Sequence, residues 1–179
     1  INKQIKGITI LTGNEVDILA DGSLDLSDSV LKKLDIVIAS VHSGFKMPKQ
    51  KMTKRIIKAL ENKYVDILGH PTGRIINERP PYAVDLESVF QVAKDTNTYM
   101  EINSFPDRLD LNDTAIMEAK KFNLRFVINT DAHNVDQLKL IRFGIATARR
   151  GWLEKKDVIN TRSLKQLTKF FKKLKKRVE

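Results

Sequence analysis

Three histidines, His42, His70 and His133, are the only ones in the chain, and each stands just behind a short apolar run, at residues 36–41, 65–68 and 126–128. Imidazole is the commonest protein ligand for transition metals. In folds built on parallel strands, chemistry is carried by residues at the carboxyl ends of the strands, where loops converge. Two carboxylates hold equivalent places: Glu15 behind the run at 8–11, and Asp131 two residues before His133, so that an extended segment would turn both to one face. With no cysteine in the chain, thiolate sites are excluded, and any metal must be held by nitrogen and oxygen donors. Glu15, His42 and His70 form a three-ligand set with positions left open for water and substrate.

Polar residues at neighbouring strand ends extend the constellation. Glu101 and Asn103 share one face of the segment 99–103. A buried Glu101 needs a partner, and either a charge network inside the barrel or a catalytic role would supply one. Asn103, nearer the strand end, reads as functional. Arg108, in a turn-rich stretch just beyond, could clamp a phosphate through its forked guanidinium or pair with Asp107 or Asp110. The loop at 71–82, rich in Gly and Pro, carries Arg74 and Arg79 beyond His70. Arg149 and Arg150 follow an expected strand at 144–148, with Trp152 beside them as either a core residue or a base-stacking platform.

These residues need a scaffold that brings strand ends together. The remaining β-branched and apolar runs, at 8–11 and 99–102, alternate with helix-like stretches at 24–34, 53–62, 86–95 and 113–122. Continuous apolar strands alternating with helices predict an α/β fold with a mostly parallel sheet. Asp113 is expected to cap the helix that follows it. A final helix at 163–177 surrounds an apolar stripe of Leu164, Leu167, Phe170, Phe171 and Leu174 with lysines. It would either dock that stripe on the barrel or contact a polyanion.

The chain has 179 residues, enough for one domain with a substantial core, and a net charge of +10 with pI near 9.7. That balance favours a phosphate-bearing, polyanionic partner or substrate. No run reaches the roughly 18 apolar residues of a membrane span, and the opening residues are unlike a signal peptide, so a cytoplasmic location is expected. The first residue is Ile1 rather than Met, as for a piece of a larger protein.

Taken together, the stretches 13–18, 21–23, 40–43, 69–74, 101–103, 106–110, 130–133 and 148–152 resemble the PHP (polymerase and histidinol phosphatase) domain. The version at the carboxyl end of family X DNA polymerases is the most similar. The segments Gly-His-Pro-Thr-Gly-Arg at 69–74 and Ala-Arg-Arg-Gly-Trp at 148–152 distinguish that group from free-standing histidinol phosphatases. The resemblance implies a distorted (β/α)7 TIM-like barrel with up to three divalent ions at its mouth, Mn2+ or Zn2+, of which one or two are expected here. By position, Glu15 would bridge two ions, His42 and His70 would complete one site, and Asp131 and His133 would contribute to others. The implied activity is a 3′ to 5′ exonuclease and 3′-end phosphoesterase acting in DNA repair, with cleavage at abasic sites. Catalytic roles would fall to His133, Asn103 and Arg108, with Arg74, Arg108, Arg149 and Arg150 on phosphate.

The family domain opens with a His-x-His strand, an Asp and a further His, none of which precedes Glu15 here. The expectation is therefore the C-terminal portion of a PHP domain at 1–161, lacking its first strands and the polymerase half, followed by the basic helix at 162–179. Two other readings stand beside it: a small-molecule phosphomonoesterase of the histidinol phosphatase type, and a non-catalytic module that holds DNA.

Overall fold

The computed structural model describes residues 2–171. Five strands, β1 (Gly13–Asp17), β2 (Ile36–Ser40), β3 (Ile67–Leu68), β4 (Tyr99–Asn103) and β5 (Phe126–Asn129), form one sheet in the order β1-β2-β3-β4-β5. Every neighbouring pair is parallel, with Glu15 opposite Ile38 and Glu101 opposite Val127. Sequential order in an all-parallel sheet means that each crossover steps to the next position in the same direction. This is the winding of a TIM-like barrel, whereas a doubly wound sheet reverses its order part-way. The described residues form a five-stranded arc in which β1 and β5 each have one partner strand.

Helices α1 (Asp28–Leu31), α2 (Lys49–Leu60), α3 (Leu86–Thr96), α4 (Asp113–Lys121), α5 (Ile141–Arg150) and α6 (Leu164–Leu167) follow the strands. In α2 the buried positions Met52, Ile56, Ala59 and Leu60 recur at helical spacing, so one stripe packs on the sheet. α3 is capped by Asp85 and ends on Asn97 in the left-handed conformation.

Several sequence expectations are corrected. The first strand is Gly13–Asp17, not residues 8–11; Leu11 instead packs beside the sheet as loop. Residues 144–148 lie inside α5, because Gly144, Thr147 and Ala148 fall on one buried helical face. The cap of α4 is Asn112, whose side chain accepts from the Ala115 N–H at 2.9 Å, while Asp113 takes the first helical position. The helix expected at 163–177 begins as expected, with Ser163 and Gln166 forming a capping box, but α6 spans only Leu164–Leu167. Residues 172–179 lie outside the described residues.

The two faces of the sheet differ. Val16, Val37, Ala39, Met100, Ile102, Phe126 and Ile128 point to the main core under the helices. On the inner face, Ile67, Tyr99 and Val127 form a second cluster with Ile36, Ile38, Leu167, Phe170 and Phe171. Leu167, Phe170 and Phe171 thus dock on this face of the sheet, in line with the docking reading of the final helix. Along each strand that inner face turns from apolar to polar: Tyr99 gives way to Glu101 and Asn103, and Val127 to Asn129. Side chains alternate with period two, so the polar residues converge at the carboxyl end of the sheet.

Candidate metal centre

Glu15 on β1, His42 two residues past β2 and His70 two residues past β3 meet at that end. Glu15 Oε1 lies 3.3 Å from His42 Nε2 and 3.0 Å from His70 Nε2, and the two Nε2 atoms are 3.3 Å apart. Donors bound about 2.0–2.1 Å from one ion in tetrahedral or octahedral geometry stand about 3.0–3.4 Å from each other, so this triangle fits a divalent cation. His42 Nδ1 contacts Asp17 Oδ1 at 2.5 Å, which fixes the ring with Nε2 directed to the site. Among the described residues these three form the one group able to place three donor atoms together.

The local electrostatics fit that reading. Hydrogen bonds from His42 and His70 hold the Glu15 carboxyl far below the usual carboxylate range, against the opposing effect of burial. The same contact with Glu15, aided by Asp17, raises His42 to about 9 despite partial burial. A carboxylate that is always ionised beside an imidazole that holds its proton describes a site whose cation is, without metal, a proton.

Backbone shape brings the donors this close. Gly69 precedes His70 where β3 passes β2; a Cβ there would meet Ser40 Oγ and stand 2.8 Å from Ile38 Cγ2. Only glycine lets the strands approach. His70 itself has φ of +23° and Asp131 φ of +53°, strained values for non-glycine residues that cluster at functional sites. The turn after His70 closes with the Gly73 N–H donating to its carbonyl at 2.9 Å, and the Tyr82 hydroxyl donates to the Pro71 carbonyl at 2.7 Å. On the other side, the buried Arg55 guanidinium donates to the carbonyls of Ile18, Leu19 and Ser43, tying the loop behind β1 to the one behind β2.

A second polar cluster is joined to the first through His70. Its backbone N–H donates to Glu101 Oε2 at 2.6 Å. Glu101 also accepts from Asn129 Nδ2 at 2.8 Å and Asn103 Nδ2 at 3.3 Å, and Asn103 donates to Asp131 Oδ2 at 3.1 Å. Among the described residues, Glu101 is therefore held by N–H groups of His70, Asn129 and Asn103 and not by a lysine or an arginine, and burial pushes its pKa up. Arg108 Nε stands 3.5 Å from Asp131 Oδ2, so its acidic partner is Asp131 and neither Asp107 nor Asp110. Its Nη1 is buried with no hydrogen-bond partner. A cavity of about 220 Å³ beside it is bordered by Phe105, Arg108, Asp131 and His133.

Asp131 and His133 do not join the triad. Both lie past the end of β5, where the left-handed turn at Asp131 breaks the extended geometry that would have aligned them. His133 is exposed, and its Nδ1 lies 2.8 Å from the Asp131 carbonyl oxygen. Arg74 spends its donors on the carbonyls of Arg108 and Leu109 at 2.5–3.0 Å, bracing the neighbouring loop. Arg149 and Arg150 stand at the end of α5 remote from His133, and Arg150 bonds Asp113 at 2.7 Å. The sequence assigns no site role to Asp17 or Arg55, and offers Asp110 only as a candidate partner of Arg108. Asp17 could have been given one, since it shares the strand face of Glu15. Asp110, buried and accepting from the Thr72 N–H at 3.0 Å, leaves no such signal.

Comparison with known proteins adds a lineage. The chain is 46% identical over 173 residues to the DNA polymerase/3'-5' exonuclease PolX of Bacillus subtilis, covering 97% of this chain and 30% of that protein. It is 38% identical over 141 residues to a probable phosphatase of Thermoanaerobacter sp., covering 73% of this chain and 55% of that protein. A probable phosphatase of Clostridium novyi is 33% identical over 181 residues, covering 93% of this chain and 69% of that protein. The chain belongs to the family of these phosphatases. No family model matches it. The chain thus spans about a third of the PolX relative and about half of the Thermoanaerobacter one. Kinship with both supports a hydrolase of the phosphoesterase type in a PHP-like domain. No helix among the described residues is long and apolar enough to cross a membrane.

Proposed function

We propose that this is a PHP-type, metal-dependent phosphoesterase domain that hydrolyses phosphodiesters at DNA 3′ ends. The observation that carries it is the triangle of Glu15, His42 and His70 donors at the carboxyl end of a parallel sheet. Similarity to a protein named as both polymerase and 3'-5' exonuclease supports DNA as substrate, and a net charge of +10 favours the same polyanion. A role in DNA repair inside the cell follows from that substrate.

Bound by Glu15, His42 and His70, a divalent ion of the Mn2+ or Zn2+ kind would supply Lewis acidity toward a phosphoryl oxygen and a nucleophile at neutral pH. The chain's own residues do the rest. Asp17 holds the His42 ring in place, and Glu101 holds His70 through its backbone. Arg108, with Nη1 directed at no protein acceptor, would hold the phosphate beside the triad. Exposed His133 would give a proton to the leaving 3′ oxygen, and Asn103, bonded to Asp131, would orient that side of the site.

The relatives named as probable phosphatases favour a second reading, hydrolysis of a small phosphomonoester. Both are tested together by assaying a 3′-labelled oligonucleotide, bis(p-nitrophenyl) phosphate and p-nitrophenyl phosphate with added Mn2+, for the parent and His70→Ala. Release of 3′ nucleotides and diester cleavage, both lost in His70→Ala, supports the proposal. Monoester cleavage alone would replace it with the second reading.

A further inference from the structure

Trp152 is the chain's single tryptophan, and 74% of it is exposed. It also has φ of +59°, at the position just past a helix where glycine is the favoured residue. Folding therefore pays twice at this residue, through an unburied indole and a left-handed backbone, and strained positions of this kind cluster at functional sites. The sequence left Trp152 open between core and stacking platform; its exposure excludes the core.

Its surroundings are cationic. Lys120 Nζ donates to the Trp152 carbonyl and stands 3.7 Å from Asp157. The same lysine borders a cavity of about 440 Å³ together with Arg125, Lys156, Asp157 and Arg162. Arg162 Nε is buried there without a hydrogen-bond partner among the described residues, while Arg125 stacks on Phe170 with its guanidinium 4.8 Å from the ring centroid. Arg149, three residues before Trp152, is exposed. This surface lies at the amino ends of the strands: the Phe126 N–H, at the start of β5, donates to the Asp157 carbonyl at 2.9 Å. The metal centre lies at the carboxyl ends.

We propose that Trp152 and these cations form a second binding surface, for single-stranded nucleic acid, separate from the metal centre. A cavity bordered by Lys120, Arg125, Lys156 and Arg162, whose Lys120 also bonds the backbone of the exposed Trp152, suits a strand whose phosphates meet Lys and Arg while an unpaired base stacks on the indole. Charge alone would favour any polyanion; the exposed indole favours unpaired bases.

The test is titration of the EDTA-treated chain with an oligo(dT) 12-mer, read by Trp152 fluorescence and by anisotropy of the labelled oligonucleotide. Expected are quenching of Trp152, roughly tenfold or greater weakening in Trp152→Ala, and a shallower salt dependence in Lys120→Gln/Lys156→Gln. Trp152→Gly should unfold at higher temperature while binding falls, a pairing that a merely structural residue would not give. His42→Ala should bind the oligonucleotide as the parent does, so loss of the metal site and loss of this surface are told apart. Unchanged Trp152 fluorescence, equal binding by Trp152→Ala, or loss of binding in His42→Ala would overturn the proposal. So would Trp152-dependent self-association in sedimentation with no response to oligonucleotide.

Discussion

The backbone N–H of His70 donates to Glu101 Oε2 at 2.6 Å, so one residue both offers a ring nitrogen to the candidate metal centre and anchors the polar cluster beside it. Because Glu101 takes three N–H groups and is buried, Glu101→Gln would turn an NH2 group toward donors. We expect it to destabilise the domain by ~1–3 kcal/mol, the range for leaving buried polar groups unpaired. A lowered urea midpoint with unchanged slope would show this; an unchanged midpoint would mean that the amides find other partners.

Stability without metal should depend on pH through the His42–Glu15 pair. His42 is raised from 6.5 to about 9, so its contribution is complete below 6.5 and is lost as pH climbs through 9. Glu15 is depressed, so its contribution is present above 4.5 and is lost as pH falls. The EDTA-treated chain should lose stability between pH 6.5 and 9, and His42→Gln should flatten that limb in urea titrations. Parallel decline in both proteins would place the titrating group elsewhere.

Arg108 and Arg74 make different predictions. Arg108→Met removes a guanidinium nitrogen that no protein acceptor holds, and should raise KM for a phosphate ester about tenfold or more with little change in thermal stability. Arg74→Met leaves the carbonyls of Arg108 and Leu109 without donors, and should lower stability by ~1–3 kcal/mol. Steady-state kinetics and melting curves separate them; the reverse pattern would exchange the two roles.

Much of this was legible in the sequence, for reasons that differ by element. Parallel strands buried on both faces read as apolar runs, which located β2, β3, β4 and β5 and placed His42 and His70 just beyond strand ends. The first strand escaped because Gly13–Asp17 is polar on the face that builds the site, while residues 8–11 carry a stronger apolar signal without a partner strand. Gly144 to Ala148 were misread as strand because a run of small and β-branched residues does not distinguish buried helix from strand. The alignment of Asp131 with His133 failed on a single left-handed residue, which composition cannot reveal. Arg74 and Arg150 read as free cations, yet their partners, the carbonyl oxygens of Arg108 and Leu109 and the Asp113 carboxylate, lie 34 to 37 residues away in sequence.

Metal stoichiometry decides whether Glu15, His42 and His70 hold a divalent ion. After loading with Mn2+ or Zn2+ and removal of excess, elemental analysis of the parent should find at least one ion per chain, with that ion lost in His42→Ala and in Glu15→Ala. A parent that holds none, or variants that keep the parent's full content, would contradict a metal site there.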